Sequence, residues 1–426
     1  MSAPNPFVHY RRLLESYRRA NAASIDDDRF VSLVRQLDAA VAALDGKHLA
    51  VTPFTRAPSV AQSLGLDGVE LWIKNETGNV GGSHKVRHLF GLMLHLLVDR
   101  IAAGQSQHAA AEPDLAIASC GNAALAAAIV ARAVDRRLQA FIPVDADQSI
   151  VVRLRELGVD ITVCEREPGV VGDPAYRRFR EALGAGALAF SCQGTDAPGT
   201  IDGGRTIAWE LGEQLAAALG APARLDRIYV QVGGGALASA VGRGLIDAMQ
   251  QGWLARVPAL HAVQTAGAFP LVRAWDLLVE EIVDSLGVTI PPITCGLDRA
   301  RAAAIVRSHR ESPVIDDWLR RAAGEPERFM WPWEDEPRSI AAGILDDMTY
   351  DWIAVADAML RTGGWPVIVD DDTLIRANDV ARDATAIDVD HTGSAGLAGI
   401  MACARFEGAP SYGERVAVLF TGVRRG

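Results

Sequence analysis

"KNETGNVGGSHKVRHLF" (residues 74–90) decides how this chain is read. It leaves the apolar, strand-like run VELWIK (69–74), crosses a glycine-rich turn and enters a helix-like stretch, VRHLFGLMLHLLVDR. Lys85 follows Gly81, Gly82 and Ser83 and so falls in the first turn of that helix. Near the positive end of a helix macrodipole an ammonium is disfavoured by roughly 0.3–1 kcal/mol, more when partly buried. The position favours the neutral amine, the form that adds to a carbonyl. The glycines supply a tight turn and Ser83 an N-cap. Taken alone, the motif is better explained as an ordinary exposed lysine at a helix start, and the rest of the chain must decide.

The whole sequence narrows the choice. Its 426 residues are 49% hydrophobic with a formal net charge of −11, enough for two or three domains with sizeable cores. Arginines are scattered and form no long basic run, so nucleic acid is not an expected partner. The longest uncharged apolar run, near LFGLMLHLLV, is too short to span a bilayer, and the first residues lack a signal-type apolar core. A cytoplasmic protein with no membrane partner is expected. Cysteines 120, 164, 192, 295 and 403 form no CxxC pair and no metal-ligand spacing, so neither a disulfide framework nor a metal site is indicated. Lysine occurs only at positions 47, 74 and 85, so any amine chemistry has three side chains to choose from.

From about residue 68, short β-branched runs alternate with longer Ala/Leu/Arg stretches, the rhythm of an α/β fold built on mainly parallel sheets. The expected strands are 69–74, 115–120, 138–144, 160–164, 187–192, 227–232, 260–265, 366–370 and 416–422. Residues 1–50 read as a helical extension and 218–227 as a connection. The stretch 268–337, with PPITC and WPWEDEP, breaks the rhythm and reads as an insertion or lid, or equally as a surface excursion.

Three further turns carry chemistry. In RIYVQVGGGALASAVGRGL (227–245), Gly233, Gly234 and Gly235 lead from a strand into a helix starting near Ala236. Backbone N–H groups at such a turn make a cradle for a phosphate monoester. Walker spacing is absent, and the glycines are too close together for a dinucleotide fingerprint. In LAIASCGNAALAAAIVARA (115–133), Ser119, Cys120, Gly121 and Asn122 form a small polar turn that can offer donors to a carboxylate, although Ser and Asn are also ordinary caps. Cys120 has no evident histidine partner and reads as a small turn residue. In DVDHTGSAGLAGIMA (388–402), Thr392, Gly393 and Ser394 precede a helix of small residues, by itself no more than a capped helix.

Together and in this order, these motifs resemble the fold type II pyridoxal-phosphate enzymes: the tryptophan synthase β-subunit, threonine synthase, serine/threonine dehydratase and cysteine synthase group. TPFTRAPSVAQSLGLDGVELWIKNETGNVGGSHKVR looks like the family's opening, SCGNAA like its substrate-carboxylate loop, VGGGAL like its phosphate loop, and HTGSAGLAG like its late hydroxyl turn. WPVIVDDDTLIRAND is similar to the strand, acidic turn and helix late in the family's large domain. The resemblance covers about residues 52–265 and 338–423.

It implies a two-domain fold, with a large cofactor-binding domain (51–106 and 200–426) and a small domain (107–199) carrying the carboxylate loop. It implies pyridoxal 5'-phosphate held by Lys85 as Schiff-base lysine, with His84 beside it. Asn122 would meet the cofactor's 3-oxygen, and Gly233, Gly234, Gly235 and Ala236 its phosphate. Thr392, or Ser394 as a fallback, would face the pyridine nitrogen. Ser119, Cys120, Gly121 and Asn122 would take the substrate carboxylate. A hydroxyl at the ring nitrogen withdraws less charge than a protonating aspartate would, and elimination at Cβ then competes well.

The implied activity is α,β-elimination on a small amino acid such as serine, threonine or a derivative, through an external aldimine and an aminoacrylate, with Lys85 as general base and a homodimer as the expected assembly. A synthase of the threonine synthase or cysteine synthase kind, performing replacement, and a catalytically inactive cofactor- or amino-acid-binding protein remain alternatives. The indole-using branch has an acidic loop where this chain has Ala-Ser-Cys-Gly-Asn. Only Arg87, His88 and Arg205 suggest themselves as cations for a substrate phosphate.

Overall fold

Alternating apolar runs and glycine turns fold into two parallel sheets in the computed structural model, which describes residues 4–104, 112–167, 169–170, 172–406 and 408–425. Residues 1–3 of the expected extension and 107–111 of the expected small domain lie outside the described residues.

In chain order come α1 (Pro6–His9), α2 (Glu15–Ala22), α3 (Asp27–Asp45), β1 (Phe54–Arg56), α4 (Pro58–Ser63), β2 (Glu70–Asn75), α5 (Lys85–Ala102), β3 (Leu115–Ala118), α6 (Asn122–Ala133), β4 (Leu138–Pro143), α7 (Gln148–Glu156), β5 (Asp160–Cys164), α8 (Pro174–Gly184), β6 (Leu188–Ala189) and α9 (Thr200–Leu219). Then follow β7 (Arg227–Gln231), α10 (Ala236–Gln250), β8 (Ala259–Thr265), α11 (Pro270–Ser285), α12 (Gly296–Ser308), α13 (Pro313–Gly324), α14 (Trp352–Thr362), β9 (Val367–Val369), α15 (Asp371–Thr385), α16 (His391–Cys403) and β10 (Arg415–Phe420). All nine expected strands are present, β6 as two residues only, and β1 is an additional short strand antiparallel to β2.

The chain divides into two compact units, one of residues 1–52 and 78–210 and the other of residues 53–77 and 211–426. The first contains a parallel sheet in the order β5-β4-β3-β6. Its β3 and β4 are near-continuous apolar runs, as strands covered on both faces require. Contacts draw its boundary differently from the sequence expectation, because α5 packs on α6 and α2 and so groups with this sheet.

The N-terminal helices are part of this core rather than an appendage. Phe7 is fully buried with its ring centroid 4.7 Å from that of Phe90 on α5. Asp202 on α9 accepts from the backbone N–H groups of Glu15 and Ser16 and lies 3.1 Å from His95 Nε2, satisfying the start of α2. Burial alone would push the Asp202 carboxyl up, but His95 and those two N–H groups hold it below the usual range.

The second unit contains the order β1-β2-β10-β7-β8-β9, parallel throughout except for β1. The expected insertion or lid at 268–337 is instead mostly packed helix. Pro270 starts α11 at a position where its missing N–H costs nothing, and Leu271, Trp275, Leu278 and Ile282 recur at helical spacing on a buried face. Ser312 caps α13 by accepting from Val314 N–H, and α12 and α13 both pack on α11 and α14. Charge clusters on the outer faces disguise this periodicity in the sequence. No described helix is long and apolar enough to cross a membrane.

Candidate active site

Of the three lysines, Lys47 is exposed and Lys74 is fully buried within β2. Lys85 alone is half-buried, at the first position of α5, between buried His84 and Val86. A single 3-10 turn, Val80–Gly82, delivers it there. Asn79 Oδ1 accepts from Val80 N–H at 2.9 Å, Gly81 N–H donates to Asp45 Oδ2 at 3.0 Å, and Gly81 has φ +63, which a glycine adopts without strain. A Cβ on Gly81 would lie 3.6 Å from Ile129 of α6, so the turn rests against that helix. Ser83 Oγ accepts from Lys85 N–H at a long 3.4 Å, while His84 holds the N-cap position in αR conformation with no side-chain cap bond of its own.

The turn Ser119–Asn122 follows β3 in the same unit. All four residues are half-buried, α6 begins at Asn122 with Gly121 as an N-cap lacking a side-chain bond, and Gly121 N–H reaches Ser119 Oγ at a long 3.4 Å. A Cβ on Gly121 would meet nothing within 4 Å. A helix N-terminus with open space before it suits an anion supplied from outside.

The cations suggested for a substrate phosphate serve the scaffold instead. Arg87 is fully buried, donating to both oxygens of Glu210 at 2.5 and 3.1 Å and to the hydroxyls of Thr206 and Thr52 at 3.0 and 3.1 Å. Thr52 N–H also donates to Glu210 at 2.9 Å. Arg205 lies 3.6 Å from Asp202 and over the ring of Trp209, and His88 is fully buried with its ring 5.9 Å from that of His84. The sequence could not distinguish these from site residues, because a helix beginning at Lys85 turns position 87 away from its start by half a turn.

In the other unit, the C-terminal end of β7 leads into the Gly233–Gly235 turn, and the start of α16 lies by the C-terminal end of β10 through Thr421 N–H to Gly393 O, at the edge where open parallel sheets hold their ligands. Gly233 and Gly235 are buried, Gly235 has φ +95, and α10 starts at Ala236 with no side-chain cap. The turn is held from behind: Thr349 Oγ1 donates to Gly233 O and Asp351 N–H to Gly234 O, each at 2.9 Å. Gln231 Nε2 donates to Gly393 O at 2.9 Å and to Thr421 Oγ1 at 2.6 Å, tying the end of β7 to α16 and to the end of β10. Gly396 allows the close approach of α16 to β7, since a Cβ there would lie 2.8 Å from Tyr229 O.

Thr392, half-buried in the first turn of α16, accepts from Gly343 N–H at 3.0 Å, which leaves its own proton to give. Ser394 is fully buried; its hydroxyl donates to Asp390 O at 3.0 Å and accepts from Asn378 Nδ2 at 2.9 Å. Asp390 caps α16 by accepting from Gly393 N–H, and burial pushes its carboxyl up to about 6 against the pull of that N–H and of Arg425.

Sequence reading missed Gln231, Gly343, Asp346, Thr349 and Asp390. The stretch IAAGILDD (340–347) lies just after the unmatched segment, and its acidic pair reads as the approach to a helix. These residues fit pyridoxal phosphate: a buried glycine turn leads into an uncapped helix N-terminus suited to a phosphate, and a threonine hydroxyl with a free proton suits the ring nitrogen.

The model of one family, described as pyridoxal-phosphate dependent enzyme, matches residues 47–311, more than half of the chain. No curated protein matches the sequence. Among solved structures, maize serine racemase aligns with TM-score 0.58 and 18% identity over 92% of this chain and 94% of that one. Processed threonine deaminase isoform 2 from Solanum lycopersicum aligns with TM-score 0.59 and 17% identity over 94% and 91%. An L-serine ammonia-lyase from Rhizomucor miehei aligns with TM-score 0.59 and 18% identity over 88% and 94%. At such identities the likeness is one of fold, and it is the fold of two-domain, fold type II enzymes. With the family match over residues 47–311, this chain belongs to the pyridoxal-phosphate dependent enzymes, and pyridoxal 5'-phosphate is its cofactor.

Proposed function

We propose that this enzyme is a lyase that eliminates a β-substituent from a small amino acid such as serine, threonine or a derivative. The observation that carries the reading is Lys85, the one half-buried lysine, at the first position of α5. In this reading Lys85 holds the cofactor's carbonyl carbon, Asn122 meets its 3-oxygen, the N–H groups of Gly233–Ala236 hold its phosphate and Thr392 faces its ring nitrogen. Ser394 is the weaker candidate for that last role, because its hydroxyl proton is already given to Asp390 O. When bound, pyridoxal phosphate supplies an electron sink for the substrate's α-carbon.

The chain's own residues do the rest. The turn Ser119–Asn122 takes the α-carboxylate on its N–H groups and the Ser119 hydroxyl. Lys85 Nζ, as free amine, takes the α-proton. The Cβ–X bond breaks with its electron pair leaving on X, and hydrolysis yields a 2-oxo acid and ammonia. Thr392, whose oxygen accepts from Gly343 N–H, would give its hydroxyl proton as a hydrogen bond at the ring nitrogen, a neutral partner that suits elimination.

The test is incubation of the holoenzyme with L-serine and L-threonine. A 2-oxo acid and ammonia formed without any added nucleophile support elimination. Oxo acid or new amino acid appearing only when a nucleophile is added points to a synthase, and D-amino acid as main product points to a racemase.

A further inference from the structure

The stretch between α13 and α14 closes on itself and rests on the turns of the six-stranded unit. Its ends meet where Trp333 N–H donates to Asp347 O at 2.9 Å. Between those ends it presses on four places in succession. A Cβ on Gly267, just after β8, would collide with Arg338 O, and Ser339 Oγ donates to Asp371 Oδ1 at the start of α15. Gly343 N–H donates to Thr392 Oγ1 at 3.0 Å, and a Cβ on Gly233 would lie 2.9 Å from Ile344 Cα. Ala341 and Ile344 are buried. A loop with joined ends, packed by its own side chains, keeps one shape. Both proposed cofactor anchors of this unit, the Gly233–Gly235 turn and Thr392, therefore bear on the same loop.

The root of this loop is acidic, with Glu334, Asp335 and Glu336 in a row after Trp333. Arg273 on α11 supplies the opposite charge. It donates to both carboxylate oxygens of Glu334 at 2.8 and 2.9 Å and to Trp331 O at 2.6 Å. Its guanidinium carbon lies 3.8 Å from the centre of the Trp331 ring and 5.2 Å from that of Trp333. Trp333 packs in turn on Phe269 with ring centroids 4.5 Å apart, and Trp331 Nε1 donates to Glu334 Oε1 at 2.6 Å. The Glu334 side chain is 61% exposed against 18% for Arg273, so the ion pair itself holds little. The Trp331 carbonyl and the indole faces hold more, and they use the planar fork and the flat face that a lysine lacks.

We propose that Arg273 is a positioning residue for the cofactor: by holding the root of loop 333–347 it keeps Gly343 on Thr392 and Ile344 against Gly233, and so sets how tightly the cofactor is retained. This deepens the site described above and rests on its placement of the phosphate at Gly233–Ala236 and of the ring nitrogen at Thr392. Arg273 acts through the loop and has no part in bond breaking.

The experiment follows loss of pyridoxal 5'-phosphate from the holoenzyme on dilution, by absorbance, together with proteolysis within 333–347 and the urea midpoint of the cofactor-free protein. Arg273→Met should raise the cofactor's dissociation constant at least about tenfold and speed cleavage within the loop by a similar factor, at an unchanged urea midpoint. Arg273→Lys should recover only part of the loss, and Glu334→Gln should stay within about threefold of the unaltered enzyme. Should Arg273→Met fail to fold, Trp331→Leu, which removes the stacked ring and leaves the carbonyl in place, should weaken retention by about threefold or more with faster cleavage of the loop. Faster cleavage with unchanged retention, or weaker retention with unchanged cleavage, overturns the proposal and leaves the elimination reading standing. A urea midpoint that falls along with retention overturns it as well, by showing a general structural role. A Gly233→Ala enzyme that retains the cofactor as tightly as the unaltered one overturns the placement of the phosphate, and this proposal with it.

Discussion

The two turns proposed to hold anions are built in opposite ways. At Gly233–Gly235 the glycines are mostly buried, side chains and backbone press on them from behind, and an added Cβ would collide at 2.1 Å. At Ser119–Asn122 every residue is half-buried and an added Cβ on Gly121 would meet nothing. Both begin helices that lack a side-chain cap, so both offer N–H groups to an anion. The difference matches residence time. A resident cofactor is best held by a turn that is already in shape, whereas a carboxylate that must enter and leave each cycle is served by one with room to adjust.

The strongest way to break this comparison is to attack the support of the looser unit. Glu210→Ala strands Arg87 with its charge fully buried, and a loss of about 3–5 kcal/mol in stability is expected by urea denaturation. A loss below about 1 kcal/mol would show that the pair is not what braces α5 against α9.

The two glycines test the contrast directly. Gly233→Ala should weaken cofactor affinity at least about tenfold, because the methyl group must displace Asp346 or the backbone at Ile344. Gly121→Ala, at φ −123 with open space around it, should leave cofactor affinity unchanged. Equal losses in a fluorescence titration would remove the distinction.

Acid sharpens the comparison further. His261 on β8 is fully buried, stacked on Tyr229 and edge-on to Trp365, and burial, with Arg227 adding to it, pushes its imidazole down to about 3 from 6.5. Between those values the unfolded chain binds a proton that the folded chain refuses. Stability is therefore full above pH 6.5 and falls as pH drops towards 3, by about 1.4 kcal/mol per unit from this group. Denaturation at pH 7 and pH 5 should show that slope, and His261→Gln should flatten it.

What the sequence shows and hides follows from locality. The strands are legible because a parallel strand buried on both faces is a continuous apolar run, as β3 and β10 are. The turns at 81–85, 119–122 and 233–236 are legible because each lies between an apolar strand-like run and a helix-like one, whereas 391–394 is the first turn of α16, which follows α15. The packed helices of 268–337 are hidden because their outer charges mask the apolar spacing. Arg87 is misleading for a related reason: two residues after the lysine it looks like a site cation, and only Glu210, distant in sequence, shows what it does. Asp346 and Gly343 are invisible because their partners, Gly233 and Thr392, are brought to them by the fold alone.

The central claim is that Lys85 carries the cofactor, and borohydride reduction of the holoenzyme followed by peptide mapping tests it most directly. The account predicts a pyridoxyl group fixed on the peptide containing Lys85, with loss of the cofactor's absorbance and of turnover in Lys85→Ala by on the order of a thousandfold or more. A pyridoxyl group on Lys74 or Lys47, or undiminished turnover in Lys85→Ala, would contradict it.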